Sequence, residues 1–177
     1  MANTAGNLTR YSLTLGIAML LSGCGLTQKI TDGTVAVTRS IFYKQVKVLH
    51  LDIRAREAIN NNDGGVALST VIRIYQLKDR NTFDSTDYPS LFANDSQAIK
   101  ADLVAVKDIL LQPGGTVLID MPMEEKAQYV AVAGMFISPD QQKESWRLVL
   151  SRRDLDPDKP RIIEAGDNRL NLISKDR

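Results

Sequence analysis

The chain has 177 residues, 24% of them charged, which suits one domain with modest appendages and rules out both a disordered tail protein and a multi-pass membrane protein. Lysine and arginine total 22 against 21 acidic residues, and this balance, without a basic run, argues against an electrostatic grip on nucleic acid or on an anionic lipid surface. A single cysteine, Cys24, and a single histidine, His50, leave no intrachain disulfide and remove zinc-finger, thiol-redox and iron–sulfur chemistry.

Arg10 is the one charged side chain before an apolar stretch, Tyr11 to Leu21, that is about half the roughly twenty residues a spanning helix needs. A short apolar run behind a positive charge and before small residues reads as a cleaved export signal covering residues 1–23. Leu21-Ser22-Gly23-Cys24 resembles a bacterial lipobox, with an aliphatic residue, two small residues that fit a peptidase cleft, and the cysteine whose thiolate takes the lipid. That resemblance implies covalent diacylglycerol and N-acyl lipid on Cys24, with no other cofactor expected. One acyl chain binds a membrane only marginally, whereas several make the anchoring effectively permanent. Gly25, where an aspartate would resemble an inner-membrane retention signal, directs the lipoprotein to the periplasmic face of the outer membrane. Residues 24–45 read as the lipidated cysteine and a tether that becomes ordered near Val35 to Phe42, and residues 46–177 as the folded domain.

In the domain, Leu49, Leu51, Ile53 and Ala55 alternate with His50, Asp52, Arg54 and Arg56, a strand with one dry and one wet face. Glu57 to Gly65 follows as a loop, rich in asparagine, aspartate and glycine that tolerate left-handed backbone. It is longer than a minimal hairpin requires, so it is either a tolerated insertion or a presented surface. Val66 to Leu77 is apolar on both faces and reads as a central strand. Between Asp79 and Gln112, Asp87-Tyr88-Pro89 and Asp95-Ser96 suggest the starts of two short helices. Ile99, Leu103, Val106 and Leu110 keep helical spacing, yet Lys107 to Gln112 suits a strand, so helix is expected to give way to strand near Ala105. Thr116 to Met121, Tyr129 to Ile137, Trp146 to Ser151, Arg161 to Glu164 and Arg169 to Ile173 complete a series of short strands divided by prolines and glycines. Such a series indicates an all-β, two-sheet sandwich, with the helices as a small insertion at about residues 80–105.

Chemistry is sparse. Asp154, Asp156 and Asp158 begin like a calcium loop, but Lys159 and Ala165 stand where the glycine and the bidentate glutamate are needed, so no metal site is expected. A serine nucleophile would have only His50 as base, and no GxSxG elbow is present. Glu124-Glu125 and the Asp79, Asp84, Asp87 group could meet across a cleft, though adjacent acids at turns usually face solvent. No enzymatic activity is expected.

The lipobox, the strand around Leu49 to Ile53 with Ala55-Arg56, the asparagine-rich connection, Val71-Ile-Arg-Ile-Tyr-Gln-Leu-Lys-Asp, and Leu111-Gln-Pro-Gly-Gly together resemble the outer-membrane lipoprotein of the type VI secretion system, the TssJ or SciN family. The resemblance implies a transthyretin-like sandwich that binds the C-terminal periplasmic region of the inner-membrane core protein TssM, within a larger membrane complex that includes TssL. It places the contact on the loop between the first two strands, here Ala58, Ile59, Asn60, Asn61, Asn62, Asp63, Gly64 and Gly65, with Ile59 as an aliphatic anchor beside a polar tip. The alternative from another class is a periplasmic lipoprotein holding a small ligand or glycan in an apolar pocket at the sandwich end.

Overall fold

The computed structural model describes residues 45–174, so the signal, the lipobox with Cys24 and the tether up to residue 44 lie outside the described residues. Eight strands form two four-stranded sheets. The strands are β1 (Val48–Ile59), β2 (Thr70–Leu77), β3 (Leu103–Leu111), β4 (Thr116–Pro122), β5 (Tyr129–Gly134), β6 (Arg147–Ser151), β7 (Arg161–Asp167) and β8 (Arg169–Leu172). One sheet has the order β4-β1-β7-β8 and the other β3-β2-β5-β6, the transthyretin-like arrangement expected. Helices α1 (Asn81–Ser85) and α2 (Tyr88–Phe92) and a 3-10 segment (Ala93–Ile99) sit between β2 and β3.

Period-two alternation on β1 builds the centre of the core. Leu49, Leu51 and Ile53 are fully buried, as are Ile72 and Ile74 of β2, and Ile53 lies beside Val117 of β4 and Ile163 of β7. The outward face of β1 is less wet than its sequence suggests. Asp52 is only 6% exposed, with Oδ2 accepting from Arg54 Nε at 3.0 Å, because Leu118 and Ile162 flank it across the sheet.

β2 and β5 are both interior strands, as their two-faced apolar sequences require. Val130, Ala131, Val132 and Ala133 are all fully buried because the second sheet is covered twice: by the first sheet on one face and by the helical insertion on the other. Arg147, at the start of β6, pins that outer layer. Its guanidinium donates to the carbonyls of Phe83 (2.6 Å), Asp84 (2.7 Å) and Thr86 (2.8 Å) and lies 4.7 Å from the Trp146 ring centre. Trp146, 1% exposed, packs edge-on against Tyr88 at 5.0 Å, and Tyr75 meets Phe83 at 5.6 Å.

The insertion differs from its sequence reading in three places. Asp87 caps α2, accepting from Ser90 N at 2.8 Å, as expected. Asp95-Ser96 is not a cap: Asn94, Asp95 and Ser96 have φ of 47°, 53° and 62°, a left-handed run that swings Ser96 inward to the Tyr75 hydroxyl at 3.1 Å. β3 begins at Leu103 rather than near Ala105, and Val106 and Leu110, whose spacing also suited an apolar helix face, are 48% and 59% exposed on the outward side of an edge strand. A helical spacing of four, three and four arose by chance in a β segment. Finally, α1 was not anticipated; it carries no side-chain cap.

Replacing Arg147 with alanine removes three carbonyl bonds and the ring contacts. Urea unfolding should show a loss of roughly 3 kcal/mol, about 1 kcal/mol per bond, and a loss under about 1 kcal/mol would mean that the insertion is held by other contacts.

Candidate functional site: the loop end of the sandwich

The twelve residues of β1 run from the end where the chain enters the domain to the opposite end, about 40 Å away at ~3.3 Å per residue. At the entry end Arg152 Nη2 donates to the Val46 carbonyl at 2.8 Å. At the far end β1 gives way to the connection of residues 60–69.

The first two expected contact residues belong to β1 itself. Ala58 is exposed, but Ile59 is fully buried and pairs with Asp167 of β7. Ile59 is therefore a core residue that closes the sandwich end and not an anchor offered to a partner. Asn60, expected at the polar tip, is 4% exposed with φ of 51°. Its backbone N–H donates to Asp167 O (2.6 Å), its Oδ1 accepts from Ile137 N (2.7 Å) and its Nδ2 donates to Ser69 O (3.3 Å). Asparagine fits because it tolerates left-handed backbone and has both a donor and an acceptor. Asn61 is half-buried. Asn62 folds the tip: its Oδ1 accepts from Gly64 N (3.0 Å) and Val66 N (2.9 Å), with Gly65 at φ of +73° supplying the turn. Asp63, Gly64 and Gly65 are exposed.

The apolar surface at this end comes from residues outside the expected set. β2 begins at Thr70 and not Val66, so Val66 (57% exposed) and Leu68 (36% exposed) belong to the connection; the Leu68 N–H donates to Ile59 O at 3.2 Å. Ile137, 55% exposed, lies just past β5 in a segment read as strand, and the Asn60 carboxamide ties it to the loop. Three large exposed aliphatic side chains thus gather on two joined connections, beside the polar tip of Asn62, Asp63 and the glycines. Val66 and Leu68 were hidden in the sequence by their continuity with β2, and Ile137 by its continuity with β5.

The other candidate residues serve local structure. Asp154 Oδ2 accepts from Ser151 N at 2.9 Å and Ser151 Oγ at 2.8 Å, and these bonds hold its carboxyl below the usual range. Asp156 Oδ1 accepts from Asp158 N at 3.0 Å in the turn that follows. Asp79 accepts from Asn81 N at 2.7 Å, Asp84 pairs with Arg80, and the bonds from Ser90 lower Asp87. His50 meets Asp120 across β1 and β4. Among the described residues, no three histidine, cysteine or acidic side chains gather as a metal site. At the entry end lies an open depression of about 360 Å³, lined by Lys78, Arg152 and Arg153 with Asp79, Gln128, Tyr129 and Ser151; its walls are charged and polar, unlike the apolar pocket a ligand-binding alternative called for.

A protein-family model described as "Type VI secretion lipoprotein, VasD, EvfM, TssJ, VC_A0113" matches residues 47–171, the whole sandwich. The chain belongs to this family, the TssJ (SciN) lipoproteins of type VI secretion. A chain in the solved structure titled "T6SS protein TssM C-terminal domain (869-1107) from EAEC" is 52% identical, with 73% of this chain and 100% of that chain covered and a TM-score of 0.68. One in "Type VI membrane complex" is 54% identical with the same coverage and a TM-score of 0.71. The T6SS lipoprotein TssJ1 from Pseudomonas aeruginosa shares the fold at 22% identity, with 74% of this chain and 98% of that chain covered and a TM-score of 0.63. A comparison with curated proteins finds no match.

Ile59→Ala should cost about 2–5 kcal/mol in chemical denaturation, the penalty of a cavity in a closed core. Asp63→Ala should move the same curve by under about 0.5 kcal/mol. Equal effects would show that the tip, too, is built into the core.

Proposed function

We propose that this protein is a non-enzymatic assembly lipoprotein, held in the outer membrane by acylated Cys24, that captures the C-terminal periplasmic region of TssM with the loop end of its sandwich. The observation that carries the reading is the position of the exposed aliphatic trio, Val66, Leu68 and Ile137, at the end of β1 opposite the chain's entry. A tether entering at one end leaves the other end directed toward a partner rooted in the inner membrane. Support comes from the two relatives above 50% identity, whose titles name the TssM C-terminal domain and a type VI membrane complex. The matched chain in the first is spanned completely by 73% of this sequence, too short to be residues 869–1107 itself, which makes it a companion of that domain. TssL then joins through the larger complex.

The energetics suit a docking loop. Apolar side chains ringed by hydrogen-bonding groups exclude water from a contact, and such centres dominate binding energy. The contact surface is set by Asn60 and Asn62 before any partner arrives, so little ordering entropy is lost on binding. Anchoring confines the domain to a thin layer and raises its effective concentration toward the partner.

In a pull-down of residues 25–177 with the TssM C-terminal domain, Val66→Asp with Leu68→Asp should weaken capture by more than about tenfold and leave the melting temperature within a few degrees. Unchanged capture would move the interface elsewhere. Cys24→Ser should shift the protein from the membrane pellet to the soluble periplasm with its fold intact; continued sedimentation would contradict the anchor.

A further inference from the structure

Six of the nine arginines among the described residues, Arg54, Arg56, Arg73, Arg80, Arg147 and Arg169, have a carboxylate within 4.0 Å. Arg152, Arg153 and Arg161 have none that close among the described residues, although the fields of Arg161 and Arg153 reach the Asp154 carboxylate, and all three lie at the end of the sandwich where the chain enters. Arg152 spends its donors on the carbonyls of Val46 (2.8 Å), Glu124 (2.8 Å) and Ala127 (2.7 Å), which orient the guanidinium without neutralising it. Arg161 donates to Asp154 O at 3.1 Å, and its Nε is buried with no partner among the described residues. Lys78 Nζ donates to the Ala101 carbonyl at 3.2 Å and has no carboxylate within 4.0 Å among the described residues. Three of these cations, Lys78, Arg152 and Arg153, wall the open depression together with the single carboxylate of Asp79, which is engaged with Asn81 N.

We infer that this depression binds the phosphate of an anionic lipid headgroup. Guanidinium groups present fixed donor forks that match phosphate oxygens, and Tyr129 and Gln128 can add neutral hydrogen bonds. A volume of about 360 Å³ suits a headgroup, and its open mouth suits a ligand that stays in its bilayer. The choice of a lipid over a free phosphate ester rests on the anchoring proposed above. Val46, two residues into the described chain, lies against Arg152, and only twenty residues separate Cys24 from Gln45, so on the proposed anchoring this is the end of the domain joined to the membrane. The acids of the same end, Asp79, Glu124, Glu125, Asp154, Asp156 and Asp158, keep it from being a diffusely basic surface, so attraction depends on the cluster and not on net charge. Occupation of the depression sets the long axis of β1 upright and presents the loop end away from the bilayer.

The test is flotation of unacylated residues 25–177 with vesicles of equimolar phosphatidylglycerol and phosphatidylcholine, against phosphatidylcholine alone. Each cation beside an anionic surface contributes about fivefold in partitioning, so Lys78→Gln with Arg153→Gln should lower binding to the anionic vesicles by about 30-fold. Arg56→Gln with Arg169→Gln, an equal change of net charge at the loop end, should leave it unchanged. Failure to prefer the anionic vesicles, an equal loss in both double variants, or saturation of the depression by inorganic phosphate without vesicle binding would overturn the inference. Because the protein carries no acyl chain, such a failure leaves the Cys24 anchor standing, and the anchor has its own test.

Discussion

One strand sets the polarity of the whole domain. β1 pairs antiparallel with β4 from Val48 to Arg54 and parallel with β7 from Leu51 to Ala55 and again, after a register shift, at Ile59, so it is held on both sides through its middle and on one side toward each end. Its first residue adjoins the chain's entry and its last adjoins the connection of residues 60–69. An extended strand is the longest structure a given number of residues can span, which puts entry and loop as far apart as a domain of this size allows. The parallel β1–β7 pairing matters here, since it brings Asp167 to the loop end, where its carbonyl receives the Asn60 N–H. The left-handed backbone at Asn60 then turns the chain outward over the core that Ile59 closes.

The remaining polar chemistry is absorbed by architecture. Arg147 holds the helical layer to the second sheet, and Asp87 and Asp154 cap short helical turns. With the outer face of β5 covered in this way, the middle of the second sheet is buried on both sides, a platform for the connection that carries Ile137. Two regions stand apart from this economy: the aliphatic trio at the loop end and, at the entry end, Arg152, Arg153 and Arg161, which have no close ion pair among the described residues. They lie at opposite poles of β1, which fits a protein with one pole for its membrane and one for its partner.

The strand order could be expected once the family resemblance was drawn, and the strands themselves were legible because alternation and proline–glycine punctuation are local signals. β1, β2, β4, β5, β6, β7 and β8 lie close to where composition put them. The insertion was less legible. Its left-handed run at Asn94 to Ser96 is imposed by the tertiary bond from Ser96 to Tyr75, and its helical spacing through Leu110 competed with the true edge strand β3. At the candidate site, the structure buries Ile59 and Asn60, which the sequence reading placed on a presented loop, and exposes Val66, Leu68 and Ile137, which it placed in strands. Ile59 looked available because nothing local reveals that its strand continues through it, and Val66, Leu68 and Ile137 looked structural because they prolong apolar runs. Exposure at a strand end depends on where pairing stops, and pairing is a property of two segments.

Hydrogen exchange of residues 25–177, with and without the TssM C-terminal domain, tests the polarity of the molecule most directly. Protection should rise at residues 61–69 and 137–140 while the amides of Lys78, Gln128 and Arg153 exchange at their original rates. Protection confined to the entry end, with the 61–69 connection exchanging as before, would contradict the assignment of the loop end to the partner.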